Sequence, residues 1–326
     1  MSALRAVVAL LLALEPGAPL TLEKTISLPN VAGRIDHLGV DLGRKHLFVA
    51  ELGNGTIDVV DLEAGKPTAR ISGLAEPQGV AYVPASDRIV VAGGGDGKVR
   101  VFRAGDLSPA GEIALGSDAD NVRVDPRSGH VVVGYGSGGL AVIDPVTPSK
   151  LGEVELGAHP EGFQLEPETA RVFVNLPSAR QIAVADLASG LRTATWAVPD
   201  LKSNFPLAID ASRSLLAVVF RSPAKLVLLD AKTGAVTASL PACSDADDVF
   251  FDAHRGWIYV SCGEGAVDVF QSDSTGTRPL ARVPTLPGGR TSLFVPELDR
   301  LFVAVRAGSA HPEASILVFR PSPRVD

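Results

Sequence analysis

Short apolar runs, each broken by glycine, asparagine, aspartate or proline, recur along the chain from residue 20 to residue 320. In the first unit they read HLGVD, HLFVA, GTIDVVDL and PTARISG, separated by turn residues such as Gly43, Gly53, Asn54 and Gly65. Val, Ile, Leu and Phe fill the runs, and no stripe with helical spacing survives between the turns. This pattern predicts antiparallel strands joined by hairpins and excludes a helical solenoid.

The runs are organised as a repeat. SDADNVRVDPRSGHVVVGYGSGGLAVID, residues 117–144, returns as SDADDVFFDAHRGWIYVSCGEGAVDVFQ, residues 244–271. Taking the residue that follows the first strand of each unit as an anchor gives Asp41, Val83, Asp125, Glu166, Asp210, Asp252 and Val295, spaced by 41 to 44 residues. Seven residues beyond each anchor sits a strand centre: Phe48, Val90, Val132, Phe173, Ala217, Tyr259 and Phe302. Four strands per unit of this length are the signature of a propeller blade. The expected fold is therefore all-β, a seven-bladed β-propeller with four-stranded antiparallel blades.

The last unit stops after its third strand, ASILVF, while LTLEKTISLP, residues 20–29, stands before the first unit as an orphan fourth strand. Pairing the two closes the ring and removes two exposed sheet edges. One propeller domain is thus expected over residues 20–320, between an N-terminal segment of residues 1–19 and a C-terminal tail of residues 321–326.

Composition narrows the function classes. Hydrophobic residues make up 46% and charged residues 21%, enough to bury a large core, and 33 Gly with 24 Pro suit a turn-dense β protein. The net charge of −7 and the absence of any Lys/Arg run argue against a nucleic-acid partner. The apolar run Ala6–Leu14 is too short to span a bilayer and suits a signal-peptide core, so no integral membrane segment is expected and the chain reads as exported, periplasmic or secreted. VAGGGDGK lies between two strands and is a hairpin turn, not a phosphate loop; GxSxG, HExxH and CxxCH motifs are absent.

The strand endings IDVVDL, LAVID, IAVADL and LVLLD, with RLFVA and WIYVS before them, resemble the YVTN-type bacterial β-propeller repeat over roughly residues 20–320. The resemblance implies an exported seven-bladed propeller and says little about activity.

Register converts the repeat into a candidate site. The innermost strand of every blade starts at one face beside the central channel, so equivalent positions meet in a ring. Five residues before each anchor, that ring reads Asp36, Gln78, Asp120, Glu161, Phe205, Asp247 and Arg290. The next position reads His37, Gly79, Asn121, Gly162, Pro206, Asp248 and Thr291, with His159 and Asn204 just before it in their own units. Carboxylates this close raise one another's pKa unless a cation answers them. Asp36, Asp120, Glu161 and Asp247 are accordingly candidate ligands of a divalent metal. The oxygen donors favour Ca²⁺ and the histidines Zn²⁺, and the choice stays open. His37, Asp248 and His159 are candidate acid/base groups, and Arg290 is placed to steady negative charge.

Gln78, Asn121, Asn204, Tyr135, Asn175, Arg221, Cys262 and His311 are candidates for a substrate rim or supporting layer. Cys243 and Cys262 fall in neighbouring strands, where either a disulfide or a thiol pair is compatible with the spacing. Six-bladed gluconolactonase- and paraoxonase-like propellers hold a catalytic divalent ion on this axis, and the chain is similar to them in the kind of site only. Two functions follow: a metal-dependent hydrolase of small esters, lactones or phosphoesters, phosphotriesters included, or a non-catalytic exported propeller that binds a protein, peptide or glycan.

Overall fold

The computed structural model describes residues 18–309 and 311–323; the expected signal segment therefore lies outside the described residues. Seven four-stranded antiparallel sheets form a propeller ring. Blade one consists of Leu38–Asp41, His46–Glu51, Thr56–Asp61 and Lys66–Ser72. The inner strands of the blades that follow are Pro77–Val83, Ala119–Val124, Phe163–Leu165, Lys202–Asp210, Ala246–Asp252 and Thr291–Val295.

Why the middle strands read as nearly unbroken apolar runs is visible in His46–Glu51. Leu47 and Val49 point into the wedge shared with blade seven, whereas Phe48 and Ala50 point into the wedge shared with blade two. Both faces of the sheet are buried, so alternation is between two cores, not between core and water. Among the described residues one apolar wedge fills each of the seven blade junctions. The outermost strand is different: Lys66–Ser72 buries only Ile71.

The acidic anchors shape turns. Asp41, Asp125, Asp210 and Asp252 accept the backbone N–H of Arg44, Arg127, Arg213 and Arg255 at 3.1, 3.0, 3.1 and 3.1 Å, and each carboxylate also takes the same arginine's guanidinium. These Asx-type bonds close the hairpin between strands one and two, at the end of the blade opposite the ring.

The last blade is built as the sequence predicts. Thr291–Val295, Arg300–Val305 and Ala314–Pro321 come from the C-terminal part of the chain, and Leu20–Leu28 completes the sheet. Leu20 pairs with Pro321 and Leu28 with Ala314. No helix among the described residues is long and apolar enough to cross a membrane.

Candidate functional site at the axial mouth

The inner strands do not start as regular ladders. Their register shifts between Pro77 and Val80, Ala119 and Val122, Asn204 and Leu207, and Ala246 and Asp248. A bulge turns two consecutive side chains toward the same side. This is why Asp120 with Asn121, Phe205 with Pro206, and Asp247 with Asp248 all reach the channel. All seven residues of the first predicted ring line one cavity of about 260 Å³. His37, Asn121, Gly162, Pro206 and Asp248 of the second ring join them, as does His159; Gly79 and Thr291 do not.

Two glycines let neighbouring blades meet there. The N–H of His37 donates to the Gln78 carbonyl at 3.2 Å, and the N–H of Gly162 donates to the Phe205 carbonyl at 3.0 Å. A Cβ on Gly162 would lie 2.4 Å from the Phe205 carbonyl oxygen, and one on Gly79 would lie 2.1 Å from that of Asp120. Only glycine permits that approach.

Arginines answer part of the carboxylate ring. Arg34 donates to Asp36 at 2.7 Å. Asp247 is gripped by Arg221 and, at 3.0 Å, by Arg290, which also reaches Asp245 at 2.9 Å. Arg221 lies over the Phe205 ring at 3.9 Å. Asp248 accepts the backbone N–H of Ser292 at 2.7 Å. Asp120 and Glu161 form no ion pair with an arginine or lysine among the described residues. The nearest cation-capable group to Asp120 is His37, whose Nε2 stands 3.7 Å from Oδ1. That oxygen is buried and without a hydrogen-bond partner, as is Asn121 Oδ1 beside it.

Burial sets the protonation states. Desolvation pushes Asp36 up to about 6 despite Arg34 and Arg290, and Glu161 up to about 7 despite His159. Asp120 is held well above the usual carboxylate range, first by burial and then by Asp36 and Glu161. Asp248 is raised likewise, by burial and by Asp247. Desolvation, helped by Arg123, pushes His37 down to about 4, which leaves its ring neutral at pH 7. The cavity thus holds acids that titrate near neutrality, a neutral imidazole and fixed guanidiniums.

Several rim candidates fall elsewhere. The Tyr135 hydroxyl turns away from the cavity to Glu153, and His311 Nε2 meets Ser315 Oγ at 2.9 Å. Cys262 is buried in a disulfide with Cys243, their Cα atoms 5.9 Å apart. Asn175 and Asn204 sit behind the wall. Asn175 Nδ2 donates to the carbonyls of Phe205 and Pro206, each at 3.1 Å, and Asn204 Nδ2 donates to Asn175 Oδ1 at 3.1 Å. Gln78, Asn121 and Arg221 do line the cavity.

Sequence reasoning missed Arg34, Asp118 and Arg123, which line it too. Arg123 was within reach, because it stands two residues beyond Asn121 on an inner strand and so shares its face. Arg34 and Asp118 both stand seven residues before an anchor, the position that His159 holds in its own unit, in the loops that enter the inner strands.

The four carboxylates nominated as metal ligands converge without forming a ligand cage. Among the described residues no group of three or more His, Cys, Asp or Glu side chains is arranged to hold an ion. Arginines already engage Asp36 and Asp247, and a guanidinium beside a carboxylate opposes a second cation. The donor set does not fit a resident divalent metal.

No protein-family model matches the chain, and no curated protein matches it in sequence. Solved structures do match its shape. The chain is similar to a chain of Kuenenia stuttgartiensis hydrazine synthase at 15% identity and a TM-score of 0.78, covering 90% of this chain and 97% of that one. It is similar to a chain of a mitotic checkpoint complex at 15% identity and a TM-score of 0.77, covering 92% of this chain and 91% of that one. At such identity the likeness concerns the propeller fold alone.

Proposed function

We propose that the protein is an exported, YVTN-type propeller that hydrolyses small esters, lactones or phosphoesters in its axial cavity. One observation carries the reading. Glu161, titrating at about 7 and in no ion pair with an arginine among the described residues, lines the same small cavity as Arg221 and Arg290. Glu161 takes a proton from the attacking water. Arg221 and Arg290 hold the oxygen on which negative charge develops. Asp248, whose carboxyl burial pushes well above the usual range, returns a proton to the leaving oxygen. The cavity's acid–arginine pairs supply the charges, so no step runs through a metal. Export is supported by the Cys243–Cys262 disulfide, a bond that persists in oxidising compartments.

The test is a panel of ester, lactone and phosphotriester substrates with the wild type and Glu161→Gln. Turnover is expected to survive chelator, to rise through about pH 7 as Glu161 ionises, and to fall by ~10²–10⁴-fold in the variant. Absence of turnover across the panel, with a stable macromolecular partner recovered instead, would leave the non-catalytic binding function standing.

A further inference from the structure

At the cavity two buried oxygens have no hydrogen-bond partner; His37 Nε2, 3.7 Å from Asp120 Oδ1, stands beyond bonding distance. Asp120 is 7% exposed and Asn121 is 2% exposed, and Oδ1 of each is buried without a hydrogen-bond partner. Consecutive on one bulged strand, both line the cavity. A buried acceptor left unpaired costs about 1–3 kcal/mol, so such oxygens are ordinarily explained by a ligand or a water.

The surroundings specify the ligand's chemistry. Asp36, Glu161 and Asp118 all push on Asp120 with like charge. Arg34, Arg221 and Arg290 are each occupied by other carboxylates. Arg123 also lines the cavity, but its Nη1 donates to the Val122 carbonyl at 2.9 Å and it makes no ion pair with Asp120. What the pair lacks is a compact, positively charged group with several donors. An ammonium group has three donors and no acceptor. The volume of about 260 Å³ lies below the ~300–1,000 Å³ of typical ligand pockets, which limits the occupant to a small molecule.

We propose that Asp120 and Asn121 form an ammonium-recognition site, so that the cavity takes small primary amines. The inference rests on the hydrolase reading only for its last step, where the preferred substrates become amino-substituted esters or lactones. Glu161 remains free beside the site to act on water.

Calorimetric titration of the full chain at pH 7 with n-butylamine hydrochloride and with n-butanol tests this. Butylammonium is expected to bind at least about tenfold more tightly, a difference of ~1.4 kcal/mol. Asp120→Asn should abolish the preference, with an unchanged or higher melting temperature. Equal binding of amine and alcohol, or heat from CaCl₂ with none from the amine, would overturn the proposal. Should the variant fail to fold, the wild-type comparison of amine with alcohol still decides. Glycine ethyl ester and ethyl acetate separate the two readings. Amine binding with neither ester cleaved defeats the hydrolase reading alone, and cleavage of both esters without amine binding defeats this one alone.

Discussion

Gly162 shows how a single missing side chain fixes the distance between blades. Its N–H bonds the Phe205 carbonyl at 3.0 Å, and a methyl group placed there would meet that oxygen at 2.4 Å. Backbone cannot step aside as a flexible side chain can. Gly162→Ala should therefore destabilise by ~1–3 kcal/mol, the usual range for overpacking, and be read as a lower denaturation midpoint. An unchanged midpoint would mean that the blades have slack at this junction. The residues of the first ring were legible because each sits at a fixed distance from an anchor, and a closed ring needs no further information to gather them. Tyr135, at the end of the strand Val131–Tyr135, and His311, in the long loop of the last blade, find partners in Glu153 and Ser315, while Arg221, near the matching end of Leu215–Ser222, does line the cavity. Arg34 and Asp118 share the position of His159, seven residues before an anchor, so register placed them at the mouth as well; only their side chains' entry into the cavity needed the structure.

At the scale of the hairpin, one aspartate organises the turn between the first two strands. The motif varies in depth from blade to blade. Asp252 is 2% exposed and also accepts the buried Tyr259 hydroxyl at 2.7 Å, whereas Asp125 meets half-exposed Arg127 and Ser128. Asp252→Ala strands both the Tyr259 hydroxyl and the Arg255 amide and should cost about 2–4 kcal/mol. Asp125→Ala should cost about 1 kcal/mol, as for a partly hydrated bond. Chemical denaturation of the two variants measures the contrast, and equal losses would contradict it. The hairpins themselves were readable from turn residues and apolar runs. The inner-strand bulges were not, because a one-residue insertion leaves the blade period intact while changing which side chains face the channel.

Across the whole molecule, the buried acids couple folding to pH. Asp36 and Glu161 titrate at about 6 and about 7 when folded, above their values in an unfolded chain. Glu51, buried in blade one, is pushed up to about 8 by desolvation. A carboxyl whose folded pKa is raised adds stability below its unfolded pKa and loses it as pH climbs through the folded one. His37 works in the opposite direction, but only below pH 6.5, since its folded value of about 4 is depressed. The melting temperature should therefore fall between pH 6.5 and pH 8.5, and Glu51→Gln should flatten the upper part of that decline. A flat profile in the wild type would show that these groups stay ionised in the fold.

The seventh sheet carries a further consequence for how the molecule comes into being. Its outer strand, Leu20–Leu28, is made before every other strand of the propeller, yet the stretch it pairs with ends at Pro321. During synthesis the early strand has nowhere to go, and six sheets can accumulate only as an open arc with two raw margins. Closure of the ring is thus an all-or-none event deferred until the strand ending at Pro321 has been made. A nascent polypeptide held short of Pro321 should be readily clipped by protease near residue 20, and release should confer resistance in one step.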